Sequence, residues 1–195
     1  MRGHSTETGG GERPGVEDLL GWRLPQAPGE VASLEWLVTR LRSSRVDWRL
    51  LDTLVAFRPS GYARYCLGRT EACELLLVCW LPGQASQVHD HGGSSGASWV
   101  VRGELRETRY AWGGDRLLPA DVTGAQAGDV LLERPETIHR IDNASPEGAV
   151  SLHLYAPPMR GMTPYDTSVV TGAGPLRPHP PGDAGPARKR RPRAT

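Results

Sequence analysis

Residues 83–103 read GQASQVHDHGGSSGASWVVRG. Two imidazoles, His89 and His91, stand two positions apart in this stretch. On an extended strand, side chains at i and i+2 leave from the same face, so one strand can aim both at a single metal ion. Glycine recurs around the pair at Gly83, Gly96 and Gly103. Glycine tolerates positive φ and so serves tight turns between short strands. A third histidine, His139, follows downstream. Of the six histidines, His4 and His179 lie in tail-like segments, which leaves His89, His91, His139 and His153 in the body.

Outward from this stretch the pattern stays β-rich from Gly61 to about residue 170. Short runs at Glu74–Leu81, Ser98–Arg102, Glu104–Trp112, Val130–Glu133, Thr137–Asp142 and Val150–Tyr155 are separated by Gly, Pro and Asp. The period before Gly61 is helical. Val31, Leu34, Leu37, Val38 and Leu41 form one apolar stripe after Pro28-Gly29, and a second short helix is predicted over Val46–Val55, ending before Pro59. Helices followed by a run of short strands predict a mainly β fold, a small β-barrel or jelly roll with N-terminal helices.

The chain has 195 residues, enough for one domain with a sizeable core. Residues 1–15 and 171–195 lack apolar periodicity and read as disordered tails, the second ending in Arg188-Lys189-Arg190-Arg191-Pro192-Arg193. The domain is therefore expected over 16–170. A net charge of +1 gives no global pull towards nucleic acid or membrane. No apolar run is long enough to span a bilayer, and no signal-peptide core follows Met1. Cys66, Cys73 and Cys79 are odd in number and show no CxxC spacing, which speaks against structural zinc and a disulfide framework and for a reducing cytoplasm. A monomer is expected.

The spacing Gly83-x5-His89-x-His91-x4-Gly96-x6-Gly103 resembles the first motif of the cupin superfamily, in which Glu normally stands where this chain has Gly96. Gly128-x10-His139-x3-Asn143 resembles the second, with Pro135 one place late and Glu136 in place of a glycine. His89, His91 and His139 are then the expected metal ligands. Without the motif carboxylate, three neutral histidines leave the full charge on the metal and favour an anionic ligand such as a thiolate. Zinc accepts three histidines as well, so the motif does not name the metal.

Four segments together resemble the cysteine dioxygenase family: Tyr62-Ala63-Arg64, His89-Asp90-His91, His139-Arg140-Ile141-Asp142-Asn143, and Ser151-Leu152-His153-Leu154-Tyr155-Ala156-Pro157-Pro158. The resemblance implies a cupin fold, Fe(II), and conversion of L-cysteine and O2 to cysteine sulfinic acid. It further implies that Arg64, beside Tyr62, holds the substrate carboxylate through its planar guanidinium. Ser151, His153 and Tyr155 would form a hydrogen-bonded relay, and the Ala156–Pro157 bond would be cis. Met162 and Trp80 are candidate pocket-lining residues, Trp80 being expected to pack beside the barrel rather than touch substrate. Animal members carry a cysteine at the position of Gly96 that forms a thioether with the relay tyrosine. Glycine forbids this, so Tyr155 is expected to be an unmodified phenol. The alternatives are a 3-mercaptopropionate dioxygenase, whose members carry glutamine where this chain has Arg64, a non-catalytic metal-binding cupin sensor, and a zinc or manganese cupin isomerase.

Overall fold

The computed structural model describes residues 14–30 and 33–171. Of the tails predicted at 1–15 and 171–195, residues 1–13 and 172–195 lie outside the described residues, as does Val31 of the predicted helical stripe. Three helices precede the strands: α1 (Val16–Leu20), α2 (Leu34–Arg42) and α3 (Trp48–Leu54). Ser33 caps α2 by accepting from the Trp36 amide at 3.2 Å, and Asp47 caps α3 by accepting from the Leu50 amide at 2.9 Å. Arg40 and Arg42 end α2, where cations complement the helix dipole. Helix α1 is not predicted from the sequence. Its five residues are too few to show a period, and Gly21 (φ 75°) closes it in the left-handed region.

Ten strands follow. They are β1 (Ala63–Arg69), β2 (Glu74–Trp80), β3 (His89–Asp90), β4 (Ser95–Arg102), β5 (Glu104–Gly113), β6 (Arg116–Gln126), β7 (Val130–Glu133), β8 (Ile138–Asp142), β9 (Ala149–Ala156) and β10 (Thr163–Pro164). They form two antiparallel five-stranded sheets, ordered β1-β2-β9-β4-β7 and β10-β3-β8-β5-β6. The predicted strand runs and the predicted helices fall on these elements with small shifts at their ends. The Ala156–Pro157 bond is cis.

Every residue of β2 and of β9 is buried, because the first sheet is covered on both faces. Leu75, Leu77, Leu152 and Leu154 pack outward with Leu19, Leu20, Leu37, Leu41 and Leu51 of the helices. Burying such a leucine contributes about 1.5–3 kcal/mol, so the helical cap is fastened by its apolar side chains. The alternate residues Leu76, Val78, Trp80 and Tyr155 face the interior between the sheets. Side chains two apart on β9 therefore share one inward row, and that row holds Ser151, His153 and Tyr155. Gly103 joins β4 to β5 at φ 73°, where an added Cβ would lie 2.8 Å from the Gly148 carbonyl oxygen, so both conformation and space require glycine.

Strand β6 is also not predicted from the sequence. It is an edge strand that ladders with β5 and otherwise makes one bridge, Leu117 to Val170; it is mostly exposed, and it contains Pro119 beside a register shift. Edges and bulges are where a strand tolerates proline. They are also where inside–outside alternation disappears.

Candidate metal centre

His89 on β3 pairs directly with His139 on β8, and His91 follows β3. The three imidazoles are buried, and each offers a ring nitrogen, all within 4.8 Å of one another. The hydrogen bonds orient two of them. His89 Nδ1 lies 2.8 Å from the Gln87 carbonyl oxygen, and His139 Nδ1 lies 2.6 Å from Glu107 Oε1. An imidazole whose Nδ1–H is donated outward presents its Nε2 lone pair inward. His139 Nε2 and His91 Nε2 stand 3.2 Å apart, a separation suited to neighbouring ligands on one cation. Burial, and then the neighbouring imidazoles, hold His89 and His91 well below the ordinary histidine pKa. Both are therefore neutral donors near pH 7. Three buried, convergent imidazoles fit a divalent transition metal. Asp90 points elsewhere. Its carboxylate accepts from the Gly92 amide at 2.9 Å and the Tyr165 hydroxyl at 2.8 Å, which secures the turn after β3.

His89 and His139 open onto a small cavity lined also by Tyr62, Arg64, Trp80, His153, Tyr155 and Met162. Its other walls are apolar, from Leu76, Val78, Ile141 and Met159. A small apolar cavity with few polar groups is suited to one small ligand. Arg64 makes no ion pair among the described residues. Its guanidinium touches only the Met162 sulfur, at 3.7 Å, which leaves it able to take an anion. Trp80, a candidate lining residue, packs in the barrel and lines the cavity; beyond that reading it stacks on Tyr62 at 4.5 Å between ring centroids and donates its indole N–H to Ser151 Oγ at 3.0 Å.

Ser151, His153 and Tyr155 are in contact: Ser151 Oγ is 2.8 Å from His153 Nε2, and the Tyr155 hydroxyl is 3.1 Å from His153 Nδ1. Burial lowers the His153 pKa to about 4, although the Glu133 charge opposes the shift. Burial and the Glu133 charge push the Tyr155 phenol well above its ordinary value, so it stays protonated near pH 7. The Tyr155 ring lies 5.0 Å from the His91 ring, which sets the phenol beside the histidine cluster.

Three residues at the site escape the sequence reading. Glu107, fully buried on β5, bonds His139 and also takes the Arg109 guanidinium at 2.9 Å. Ser98 on β4 bonds His153 Nδ1 at 2.6 Å. Glu133 at the end of β7 corrects one expectation outright. Gly96 removes the motif carboxylate, yet the site is not free of carboxylate, because Glu133 Oε2 lies 3.3 Å from His91 Nε2. The available signal was alternation. Glu107 is two residues from inward Leu105, and Glu133 is two from inward Leu131, so each charge sits on an apolar face.

A sequence model of the family described as cysteine dioxygenase type I matches residues 25–168. Cysteine dioxygenase type 1 of Danio rerio is 34% identical over 146 residues, covering 70% of this chain and 70% of that protein. The Homo sapiens protein of the same name is 31% identical over 142 residues, again covering 70% of each. Among solved structures, a Klebsiella pneumoniae protein with a double-stranded β-helix domain superposes with a TM-score of 0.52 at 22% identity, covering 60% of this chain and 94% of that one. That likeness concerns the fold alone, and the fold is the cupin barrel.

Proposed function

This chain belongs to the cysteine dioxygenase type I family, and from that premise we propose that residues 16–170 form a thiol dioxygenase converting L-cysteine and O2 to cysteine sulfinic acid. The observation that carries the reading is a small cavity where two imidazoles of a convergent three-histidine cluster meet an unpaired guanidinium and a buried phenol. The stoichiometry closes without a reductant. Oxidation of a thiol to a sulfinic acid releases four electrons, and O2 accepts four when both its atoms end on sulfur.

His89, His91 and His139 are assigned as the metal ligands, and iron(II) as the metal. When bound, iron(II) supplies an open coordination face for the thiolate and a redox partner for dioxygen. The remaining work falls to the protein. Arg64, with Tyr62 beside it, takes the substrate carboxylate at the cavity mouth and turns the thiol inward. Tyr155 is held protonated, so its hydroxyl can donate a hydrogen bond to charge that develops beside the ligands. His153 and Ser151 fix the orientation of that hydroxyl. Trp80 and Met162, with the apolar walls, keep water from the reacting sulfur. Gly96 leaves Tyr155 without a thioether partner, so it works as an unmodified phenol. Three free cysteines support a reducing, cytoplasmic location, and near-neutral charge gives no pull towards nucleic acid or membrane; the proposed partners are L-cysteine and O2, and the proposed state is a monomer. Among the described residues no helix is long and apolar enough to cross a membrane.

The test is O2 uptake by iron-loaded protein offered L-cysteine, 3-mercaptopropionate and cysteamine side by side, with product identified by mass. Preference for cysteine over cysteamine supports the carboxylate recognition assigned to Arg64. Preference for 3-mercaptopropionate would move the protein to the neighbouring thiol class. No O2 uptake with any thiol would leave the sensor or isomerase reading.

A further inference from the structure

Glu133 is a wholly buried carboxylate to which the reaction sketched above gives no task. Across the sheet it lies opposite Gly96 on β4, and Gly96 lies opposite Tyr155 on β9. The three positions form one row with an empty centre. A Cβ at position 96 would come within 2.5 Å of Tyr155 Cε1 and 2.7 Å of Glu133 Oε2. The glycine is what allows carboxylate and phenol to share that space. In the neighbouring row Ser98 lies opposite His153. Ser98 donates its hydroxyl to Glu133 Oε1 while its oxygen faces His153 Nδ1 at 2.6 Å.

These contacts make a chain with a fixed direction. An indole N–H can only donate, a carboxylate can only accept, and each serine hydroxyl has one hydrogen. At one end Trp80 donates to Ser151. At the other end the hydrogen of Ser98 is spent on Glu133, so towards His153 Nδ1 the Ser98 oxygen can only accept. Nδ1 therefore carries the single proton of the neutral ring, and bare Nε2 takes the hydrogen of Ser151, 2.8 Å away. That proton placement bears on Tyr155. The nitrogen 3.1 Å from its hydroxyl is already protonated, so the phenol cannot spend its own hydrogen there.

We propose that Glu133 is a positioning residue for the reaction: through Ser98 it locks His153 in the Nδ1–H tautomer and so keeps the Tyr155 hydroxyl hydrogen off His153. The role in the reaction rests on the thiol dioxygenase reading, whereas the tautomer does not. NMR of the zinc-loaded full-length protein with ¹⁵N-labelled histidine reads the tautomer directly, since protonated and bare ring nitrogens resonate apart. His153 is expected protonated at Nδ1 in the parent and in Glu133→Gln, whose carbonyl oxygen still accepts from Ser98. Glu133→Leu and Ser98→Ala break the same link from opposite sides, and each is expected to shift His153 to the Nε2–H form or a mixture. In iron-loaded protein, Glu133→Leu is expected to lower kcat for cysteine about tenfold or more with KM within about twofold, and Glu133→Gln to recover most of the loss. A parent-like tautomer in both Glu133→Leu and Ser98→Ala overturns the proposal. A loss of zinc affinity of about a hundredfold in Glu133→Gln also overturns it, by making Glu133 a metal ligand. Absence of cysteine-dependent O2 uptake by the parent removes the reaction role together with the reading beneath it, while the NMR result stands on its own.

Discussion

Substituting Glu107 perturbs the metal centre without touching a ligand. Its Oε1 takes the His139 Nδ1–H at 2.6 Å and its Oε2 takes the Arg109 guanidinium at 2.9 Å, in a side chain with no exposure. The carboxylate sets the tautomer of His139, aims its Nε2 into the cluster and makes that nitrogen a stronger donor. Glu107→Gln keeps the shape and one accepting oxygen but loses the charge. Removing such an outer partner weakens metal binding by about 10- to 100-fold, or about 1.4–2.7 kcal/mol. Glu107→Ala also strands a buried N–H, a further cost of about 1–3 kcal/mol. The assay is calorimetric titration of metal-stripped protein with zinc at fixed pH, with urea unfolding of the same samples to separate metal affinity from folding. Affinity is expected to fall in the order parent, Glu107→Gln, Glu107→Ala. A folded Glu107→Ala protein that binds zinc within about twofold of the parent would refute the orienting role.

Arg64→Gln removes one charge-assisted bond to the substrate carboxylate, about 1.5–3 kcal/mol, so kcat/KM for cysteine is expected to drop by about 10- to 150-fold, mostly in KM; an unchanged KM would sink the clamp. Acid should destabilise the metal-free protein. His153 titrates at about 4 when folded against 6.5 for an unperturbed ring, and His89 and His91 are lowered too. The unfolded chain then binds more protons as pH falls through that window, and His153 alone accounts for about 3 kcal/mol lost by pH 4. Urea midpoints should be lower at pH 5 than at pH 7.5, and equal midpoints would contradict the burial of neutral rings. Gly96→Ala forces Tyr155 and Glu133 apart; it is expected to cost about 1–3 kcal/mol in stability and to cut activity while metal affinity holds, and parent-like activity would show that the row is looser than described. Intact mass and a single gel band should give no Cys–Tyr adduct in the parent.

The parts of this molecule legible in its sequence are those carried by local pattern. His89 and His91 declare a shared strand face by spacing alone, and the inward row Ser151, His153, Tyr155 does the same on β9. The stripe through Leu34, Leu37 and Leu41 marks α2. What stays hidden depends on pairing between distant strands. Nothing near Ser98 says that it faces His153, because that follows from the β4–β9 register. Glu133 reads locally as a charge that ends a strand, and only the β7–β4–β9 row turns it towards Tyr155. Gly96 removes the motif carboxylate from its own strand, and the fold refills that space from β7 with Glu133. Edge strand β6 was missed for the opposite reason, since exposure on most of its length leaves no alternation to read.

Turnover of L-cysteine by the iron-loaded protein under ¹⁸O2 tests the central claim most directly. The expected result is cysteine sulfinic acid carrying two ¹⁸O atoms, one O2 consumed per cysteine, and no requirement for an added reductant. A product with one labelled oxygen or none, or no O2 consumption with cysteine, would contradict it.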